Sequence, residues 1–273
     1  MIPTTTPTKA KMALAVGAMA LALAASACTA APQASPTTTG GSASGTAKAT
    51  LTVFAAASMQ STFTELQQRF QAAHPGTTIT FNFAGSQALA TQLVEGASAD
   101  VFVSANEAQM KVVTDAGLNA AAPTVFATNE LTIAVPPDNP AGIRSLQDLT
   151  KKGLKLVVCA PAVPCGAATQ KLESATGLSF SPVSEEQAVT GVLAKVRSGE
   201  ADAGLVYKTD VIAAGDAVKG IDFPEASKAV NSNPIVLLKA APNASAGQAW
   251  IDLVLSAEGQ KVFTNAGFGP AKS

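Results

Sequence analysis

Short apolar runs alternate with helical segments along most of the chain, and this alternation limits the fold more than any other feature. The run at residues 51–55 suits a buried strand, and Phe63 and Phe70 then lie two helical turns apart. Further strands are predicted at residues 78–83 and 101–103, each followed by a helix. This order predicts a mostly parallel sheet with helices on both faces.

A second series of strands and helices follows a long strand predicted at residues 131–136. Two α/β series joined by extended segments predict two lobes around a cleft, with the ligand beyond the C-terminal strand ends. We expect the chain to cross between the lobes near Glu130 and again near Asn233. The predicted division is residues 48–129 plus 236–273 for the first lobe and residues 130–235 for the second.

The N-terminal segment has the features of an export signal. Lys9 and Lys11 precede an apolar stretch at residues 12–25, which is too short to span a membrane. Residues 25–28, Ala-Ser-Ala-Cys, resemble a bacterial lipobox, in which the cysteine is acylated. We therefore predict a signal peptide at residues 1–27 and a lipid on Cys28, with an uncleaved membrane anchor as the alternative.

Residues 28–47 are rich in Thr, Ser, Pro, Ala and Gly, a composition that cannot bury enough apolar surface to fold. The order of lipid, tether and folded domain predicts a lipoprotein on the outer face of the cell membrane. The formal net charge of −1 gives no basis for nucleic-acid binding, which needs clustered Lys and Arg. No nucleotide-binding Gly-x-x-x-x-Gly-Lys-Ser/Thr motif occurs in the sequence.

Cys159 and Cys165 remain after Cys28 is assigned to the lipid. In an exported protein two such cysteines usually pair, so a disulfide is predicted. A thiol–disulfide activity of this pair is the alternative, although reactive pairs usually have the tighter Cys-x-x-Cys spacing.

Several predicted helix starts carry candidate anion-binding groups. Ser58, Ser86, Cys165 and Val189 each lie at such a start, where unpaired N–H groups and a partial positive charge attract anions. Each serine taken alone is better explained as an ordinary N-cap. Tyr207 closes a strand and either donates its hydroxyl into the cleft or packs at the sheet margin with its oxygen in water.

Five segments, in order, resemble the molybdate-binding proteins of ABC importers. They are Val-Phe-Ala-Ala-Ala-Ser ending at Ser58, Phe-Ala-Gly-Ser ending at Ser86, residues 99–105, Val-Pro-Cys-Gly around Cys165, and Gly-Leu-Val-Tyr ending at Tyr207. Each segment is short, but their order and extent, from about residue 48 to the end, make the resemblance specific.

The resemblance implies a two-lobed type II periplasmic-binding-protein fold with the ligand cleft between the lobes. It also implies an oxyanion site, with Ser58 and Ser86 donating from the first lobe through side chain and backbone. Cys165 and Val189 donate backbone N–H groups from the second lobe, and Tyr207 donates its hydroxyl. The ligand is molybdate or tungstate, with no cofactor and no direct metal ligand. The partners are an ABC permease and its ATPase, and we expect a monomer.

Three other functions stay open at this point. A receptor for sulfate or another tetraoxyanion would use the same donors, because only the size of the anion differs. An enzyme on a similar fold would need a general base or a nucleophile in the cleft, and the candidate set contains neither a histidine nor a carboxylate. The sequence therefore predicts a binding protein, and a thiol–disulfide protein is the third alternative.

Overall fold

The structure is a computed structural model that describes residues 49–271. The described residues all belong to one compact unit. The signal peptide predicted at residues 1–27, the lipid on Cys28 and the tether predicted at residues 28–47 lie outside the described residues. From residue 49 to residue 271, no helix is both long enough and apolar enough to cross a membrane.

Strands and helices alternate as the sequence predicts. The strands are β1 (Ala49–Ala56), β2 (Thr77–Ala84), β3 (Val101–Val103), β4 (Thr124–Asn129), β5 (Leu131–Val135), β6 (Leu156–Cys159), β7 (Ser184–Glu186), β8 (Ala203–Tyr207), β9 (Lys219–Ile221), β10 (Asn231–Leu237) and β11 (Gly269–Pro270). The α-helices are α1 (Gln60–Ala73), α2 (Ser86–Val94), α3 (Glu107–Asp115), α4 (Pro164–Thr176), α5 (Val189–Arg197), α6 (Lys208–Ala214), α7 (Ala244–Leu255) and α8 (Ala257–Asn265). Four short 3-10 helices lie at Ala57–Met59, Leu146–Thr150, Gly215–Ala217 and Pro224–Ala229.

The strands form two separate sheets, one in each lobe. The first sheet has the order β11-β4-β10-β3-β1-β2, and the second has the order β7-β6-β8-β5-β9. The two-lobed α/β fold is therefore confirmed, but the prediction of mostly parallel sheets needs correction. Strands β2, β1 and β3 are parallel, as are β7, β6 and β8, whereas β10, β11, β5 and β9 pair antiparallel to their neighbours. Both sheets are therefore mixed. Strands β5 and β10 enter from the other lobe, so the βαβ units that make neighbouring strands parallel do not set their direction.

The chain crosses between the two sheets at Glu130 and again at Val230. The second crossing lies earlier than predicted, because β10 begins at Asn231 and pairs with β4 in the first sheet. The prediction placed residues 231–235 in the second lobe, whereas β10 includes Pro234, a residue type that usually interrupts a strand. Here a register shift between Asn233 and Pro234 accommodates the proline inside the sheet.

Each lobe has its own hydrophobic core. In the first lobe, Trp250 of α7 is fully buried and its ring packs edge-on against Phe63 and Phe70 of α1. In the second lobe, α5 lies so close to β8 that a Cβ on Gly204 would come within 2.6 Å of Val192. Two separately packed lobes give the cleft two firm walls, which can approach each other without disturbing either core.

Candidate functional site

All five candidate residues line one cavity between the lobes. Its walls are formed by the following residues from both lobes: Ala56, Ala57, Ser58, Ala84, Gly85, Ser86, Ala105, Val163, Pro164, Cys165, Val189 and Tyr207. All of these residues lie within the described part of the chain, and none of their side chains carries a charge at neutral pH. An anion there would be held by dipoles rather than by countercharges.

Four helix N-termini converge on this cavity. Ser58 lies in the 3-10 helix that leads into α1, Ser86 and Val189 are the first residues of α2 and α5, and Cys165 is the second residue of α4. The first N–H groups of a helix have no partner within that helix, and the helix dipole makes this end positive. Two such ends come from each lobe, which suits an anion enclosed between them.

The cavity is small in this arrangement of the lobes. About 10 Å³ of it is open to the centre of a water-sized sphere, within about 200 Å³ of space that protein atoms do not fill. All five candidate residues are buried, and the most accessible of them, Ser58, is 8% exposed. In this closed arrangement the space suits a compact ligand better than a sugar or an amino acid.

Neither serine acts as an N-cap, the alternative role considered from the sequence. The N-caps are Ala56 for the first helix and Gly85 for α2, and both serines follow inside the first turn. The Oγ atom of Ser58 is buried and has no hydrogen-bond partner among the described residues. A buried hydroxyl without a partner costs about 1–3 kcal/mol, so Ser58, which lines the cavity, has a hydroxyl proton free for a ligand.

Ser86 is held differently from Ser58. Its Oγ atom accepts a hydrogen bond from the Ala105 N–H at 3.0 Å. A hydroxyl has one donor proton and two acceptor lone pairs, so this bond leaves the Ser86 proton available to an acceptor in the cavity. Ala105 therefore fixes the position of the hydroxyl without using its proton.

Tyr207 is not an aromatic residue with its oxygen in water, which was the alternative suggested by composition. Its side chain is 2% exposed, and its hydroxyl oxygen accepts a hydrogen bond from Asn231 Nδ2 at 2.8 Å. Burial raises the pKa of the Tyr207 hydroxyl above its ordinary value, and the nearby Asp210 carboxyl raises it further. The hydroxyl stays protonated near neutral pH and is available as a donor.

Cys165 lies on the cavity wall and is joined to Cys159 by a disulfide in the structure, with the two Cα atoms 5.6 Å apart. Both cysteines are 2% exposed. A redox-active pair normally has a partly exposed thiol, so this burial favours a structural bond. The bond links the end of β6 to the first turn of α4 and so supports the backbone N–H of Cys165.

Removing the disulfide is expected to cost stability. Closing a loop of this length contributes about 2 kcal/mol through the entropy of the unfolded chain. The double variant Cys159→Ala/Cys165→Ala should therefore have a free energy of unfolding lower than that of the wild type by about this amount. Denaturant unfolding measures the difference. A thiol assay on the untreated, unfolded wild-type domain (residues 48–273) should find no free thiol. Two reactive thiols, or equal stability of the two proteins, would contradict the structural role.

Contacts on either side of the cavity hold the lobes together. Gln87 Nε2 in the first lobe donates to the Gln187 carbonyl oxygen in the second at 2.9 Å. Gln109 Nε2 in the first lobe likewise donates to the Ala162 oxygen at 3.0 Å. These bonds join the two lobes directly, so the described arrangement is a closed one.

Asp210 supports the site from behind Tyr207. Its Oδ2 atom accepts a hydrogen bond from the Tyr207 backbone N–H at 2.9 Å. Burial raises the pKa of Asp210 from 3.8 to about 7, and the bond from Tyr207 lowers it only in part. Between about pH 4 and pH 7 the folded protein therefore binds more protons at this position than the unfolded chain.

This difference in proton binding predicts a pH-dependent stability. The contribution of Asp210 is full below about pH 4 and is lost as the pH rises to about 7. Its slope is at most about 1.4 kcal/mol per pH unit. We would measure the free energy of unfolding of the wild type and of Asp210→Asn with denaturant, both without anion. From pH 5 to pH 7.5 this free energy should fall more in the wild type than in the variant. Parallel pH profiles would contradict the raised pKa.

The sequence did not reveal three features of the site. Asn231 orients the Tyr207 hydroxyl, Ala105 positions Ser86, and Gln87 links the two lobes. Each depends on a contact between residues far apart in the chain, and no local pattern marks it. The single weak indication was the position of Asn231 beside the predicted second crossing.

Two lobes that close on one small buried cavity define the class of solute-binding proteins. The family model described as bacterial extracellular solute-binding protein matches residues 51–269. The chain therefore belongs to this family.

Relatives and solved structures give the same result. The chain is 49% identical over 218 residues to the molybdate-binding protein ModA of Mycobacterium tuberculosis strain H37Rv, covering 80% of this chain and 84% of the relative. Its fold is similar to that of the periplasmic molybdate-binding protein of Azotobacter vinelandii, with a TM-score of 0.70, 19% identity and coverage of 81% and 100%. The sulfate-binding protein SubI of Mycobacterium tuberculosis H37Rv is also similar, with a TM-score of 0.68, 20% identity and coverage of 81% and 87%. At these identities the two structures show the fold alone.

Proposed function

We propose that this protein captures molybdate or tungstate outside the cytoplasm and delivers it to an ABC permease that is driven by a separate ATPase. One observation carries the proposal: four helix N-termini and the Tyr207 hydroxyl converge on a single compact cavity between the lobes. The identity of 49% to a molybdate-binding relative supports the choice of anion.

The chemistry of the cavity favours a fully deprotonated oxyanion. Molybdate and tungstate are dianions near neutral pH and offer only acceptors, which match the hydroxyl and backbone N–H donors of Ser58, Ser86, Cys165, Val189 and Tyr207. Phosphate normally keeps a proton near neutral pH, and that proton needs an acceptor. A donor or acceptor buried without a partner costs about 1–3 kcal/mol, so a wall of donors discriminates against phosphate.

The proposed role is binding rather than catalysis. The cavity wall consists of hydroxyls, backbone amides and apolar side chains, which hold an anion without a base to move its protons. We further propose that lipid on Cys28 anchors the protein to the outer face of the membrane and that it acts as a monomer. The lobes open to admit the anion and close over it, and the closed form docks on the permease.

Calorimetric titration of residues 48–273 with molybdate, tungstate, sulfate and phosphate tests the proposal. We expect tight binding of the first two anions and weak or undetectable binding of the other two. Sulfate is the informative competitor, because it is also a dianion and differs mainly in its smaller size. Tight sulfate binding with weak molybdate binding would replace the proposed ligand by sulfate. A well-folded sample that binds none of the four anions would overturn the proposal.

A further inference from the structure

Asn231 joins two second-lobe segments that line the cavity, at Tyr207 and at Pro164, through a single nitrogen atom. It is the first residue of β10, and its side chain is 2% exposed. Its Nδ2 atom donates to the Tyr207 hydroxyl oxygen at 2.8 Å and to the Pro164 carbonyl oxygen at 3.1 Å. Pro164 is the first residue of α4 and immediately precedes Cys165. Asn231 does not itself line the cavity, so any effect on a ligand passes through these neighbours.

The direction of these hydrogen bonds follows from the chemistry of the groups. The Pro164 carbonyl is only an acceptor, so the side-chain atom of Asn231 that faces it must be the amide NH₂ group. The same nitrogen contacts the Tyr207 oxygen, which must therefore accept the second amide proton. The hydroxyl proton of Tyr207 is then directed away from Asn231. It has no acceptor among the described residues, and Tyr207 lines the cavity, so a ligand there can take this hydrogen bond.

We propose that Asn231 is a positioning residue for anion selection, because it fixes the Tyr207 hydroxyl as a donor to the cavity. The inference rests on the proposed function. A hydroxyl in water can either donate or accept, so it would serve a protonated oxyanion as well as a deprotonated one. With Asn231 in place, the hydroxyl serves only an acceptor, and this excludes anions that carry a proton to that position.

The variant Asn231→Asp tests this polarity with little change in shape. The new carboxylate accepts a hydrogen bond, so it takes the Tyr207 proton and leaves an oxygen lone pair facing the cavity. We expect molybdate affinity to fall by about 10- to 100-fold, the effect of losing one hydrogen bond to a charged group. The ratio of phosphate affinity to molybdate affinity should rise.

A double-mutant cycle separates positioning from a general structural role. If Asn231 acts through the Tyr207 hydroxyl, the loss from the neutral variant Asn231→Leu should disappear in a Tyr207→Phe background, and the loss from Asn231→Asp should shrink there to the repulsion between its charge and the anion. A structural role would instead lower the melting temperature and multiply the two losses. Asn231→Leu serves as a second variant if the buried carboxylate prevents folding. It should lower affinity less in the wild type and not at all in the Phe background.

Asn129 provides a matched control. It lies opposite Asn231 in the β4–β10 pairing and has the same 2% exposure. Its side chain donates to Thr209 Oγ1 and accepts from the Glu130 N–H, and within the described residues it makes no hydrogen bond to Tyr207. In Asn129→Asp the Glu130 N–H and the Thr209 hydroxyl can both donate to the new carboxylate, so both contacts remain. We therefore expect anion affinity to stay within a few-fold of the wild type.

The wild-type titration keeps the two hypotheses distinguishable. If the wild type does not bind molybdate, the proposed function fails and the inference fails with it. If the wild type binds molybdate and Asn231→Asp binds it equally well, or if the losses multiply in the double variant Asn231→Leu/Tyr207→Phe, only the inference is overturned.

Discussion

Substituting Gly85 is expected to abolish tight anion binding while leaving both lobes folded. A Cβ on Gly85 would lie 2.2 Å from the Gln187 carbonyl oxygen of the opposite lobe. Real Cβ contacts essentially never fall below 3.0 Å, so in Gly85→Ala the lobes must stay apart by almost 1 Å. The nearby Gln87 side chain can rotate away, but the carbonyl belongs to the backbone and cannot.

The expected loss follows from the donors that the second lobe supplies. If incomplete closure weakens only two of the bonds from Cys165, Val189 and Tyr207, at about 1.5 kcal/mol each, affinity falls by roughly 100-fold. Gly85→Val should lose more, because its side chain is larger. The backbone of Gly85 has φ −60° and ψ 136°, which alanine adopts without strain, so the melting temperature without anion should change little.

Gly191→Ala is the matched control for this prediction. Gly191 lies in α5 of the second lobe, and an added Cβ would meet only the Glu186 side chain, at 3.1 Å. Its molybdate affinity should stay within a few-fold of the wild type. If Gly85→Ala binds molybdate as tightly as the wild type in the same titration, the closed arrangement described above is not the binding form.

Local patterns determined the parts of the fold that the sequence predicted well. The apolar run and the alternation at residues 78–83 predicted β1 and β2, and the helical spacing of Phe63 and Phe70 predicted α1. The sequence did not predict that β10 pairs antiparallel with β3 and β4, because the direction of β10 depends on where the chain returns from the second lobe. The register shift between Asn233 and Pro234 exists only in the assembled sheet, so the sequence did not show that β10 already begins at Asn231.

The same distinction applies to the site. The five candidate residues lie at helix starts or strand ends, which local sequence predicts, and the structure brings them to one cavity. The groups that fix their donor roles come from distant segments. Tyr207 and Asn231 are 24 residues apart, and Gln87 and Gln187 are 100 residues apart. A single sequence contains no local pattern that marks contacts between residues so far apart in the chain.

The two serines should respond in opposite ways to loss of their hydroxyls when no anion is present. Ser58→Ala removes a buried hydroxyl that has no partner within the described residues, so the free energy of unfolding should stay equal or rise by about 1 kcal/mol. Ser86→Ala leaves the Ala105 N–H without its acceptor, so the free energy of unfolding should fall by about 1–3 kcal/mol. Denaturant unfolding without anion measures both changes.

With anion present the two variants should behave alike. Each loses a hydrogen bond to a charged ligand, worth about 1.5–3 kcal/mol, so molybdate affinity should fall by roughly 10- to 100-fold in both. Ser61→Ala, at an exposed position on α1, should keep wild-type affinity and stability. A stabilised Ser58→Ala variant with weakened binding would show that the unpartnered hydroxyl is retained for the ligand, because the fold alone is better without it. If Ser58→Ala keeps full affinity, this hydroxyl does not contact the anion, and its burial without a partner needs another explanation.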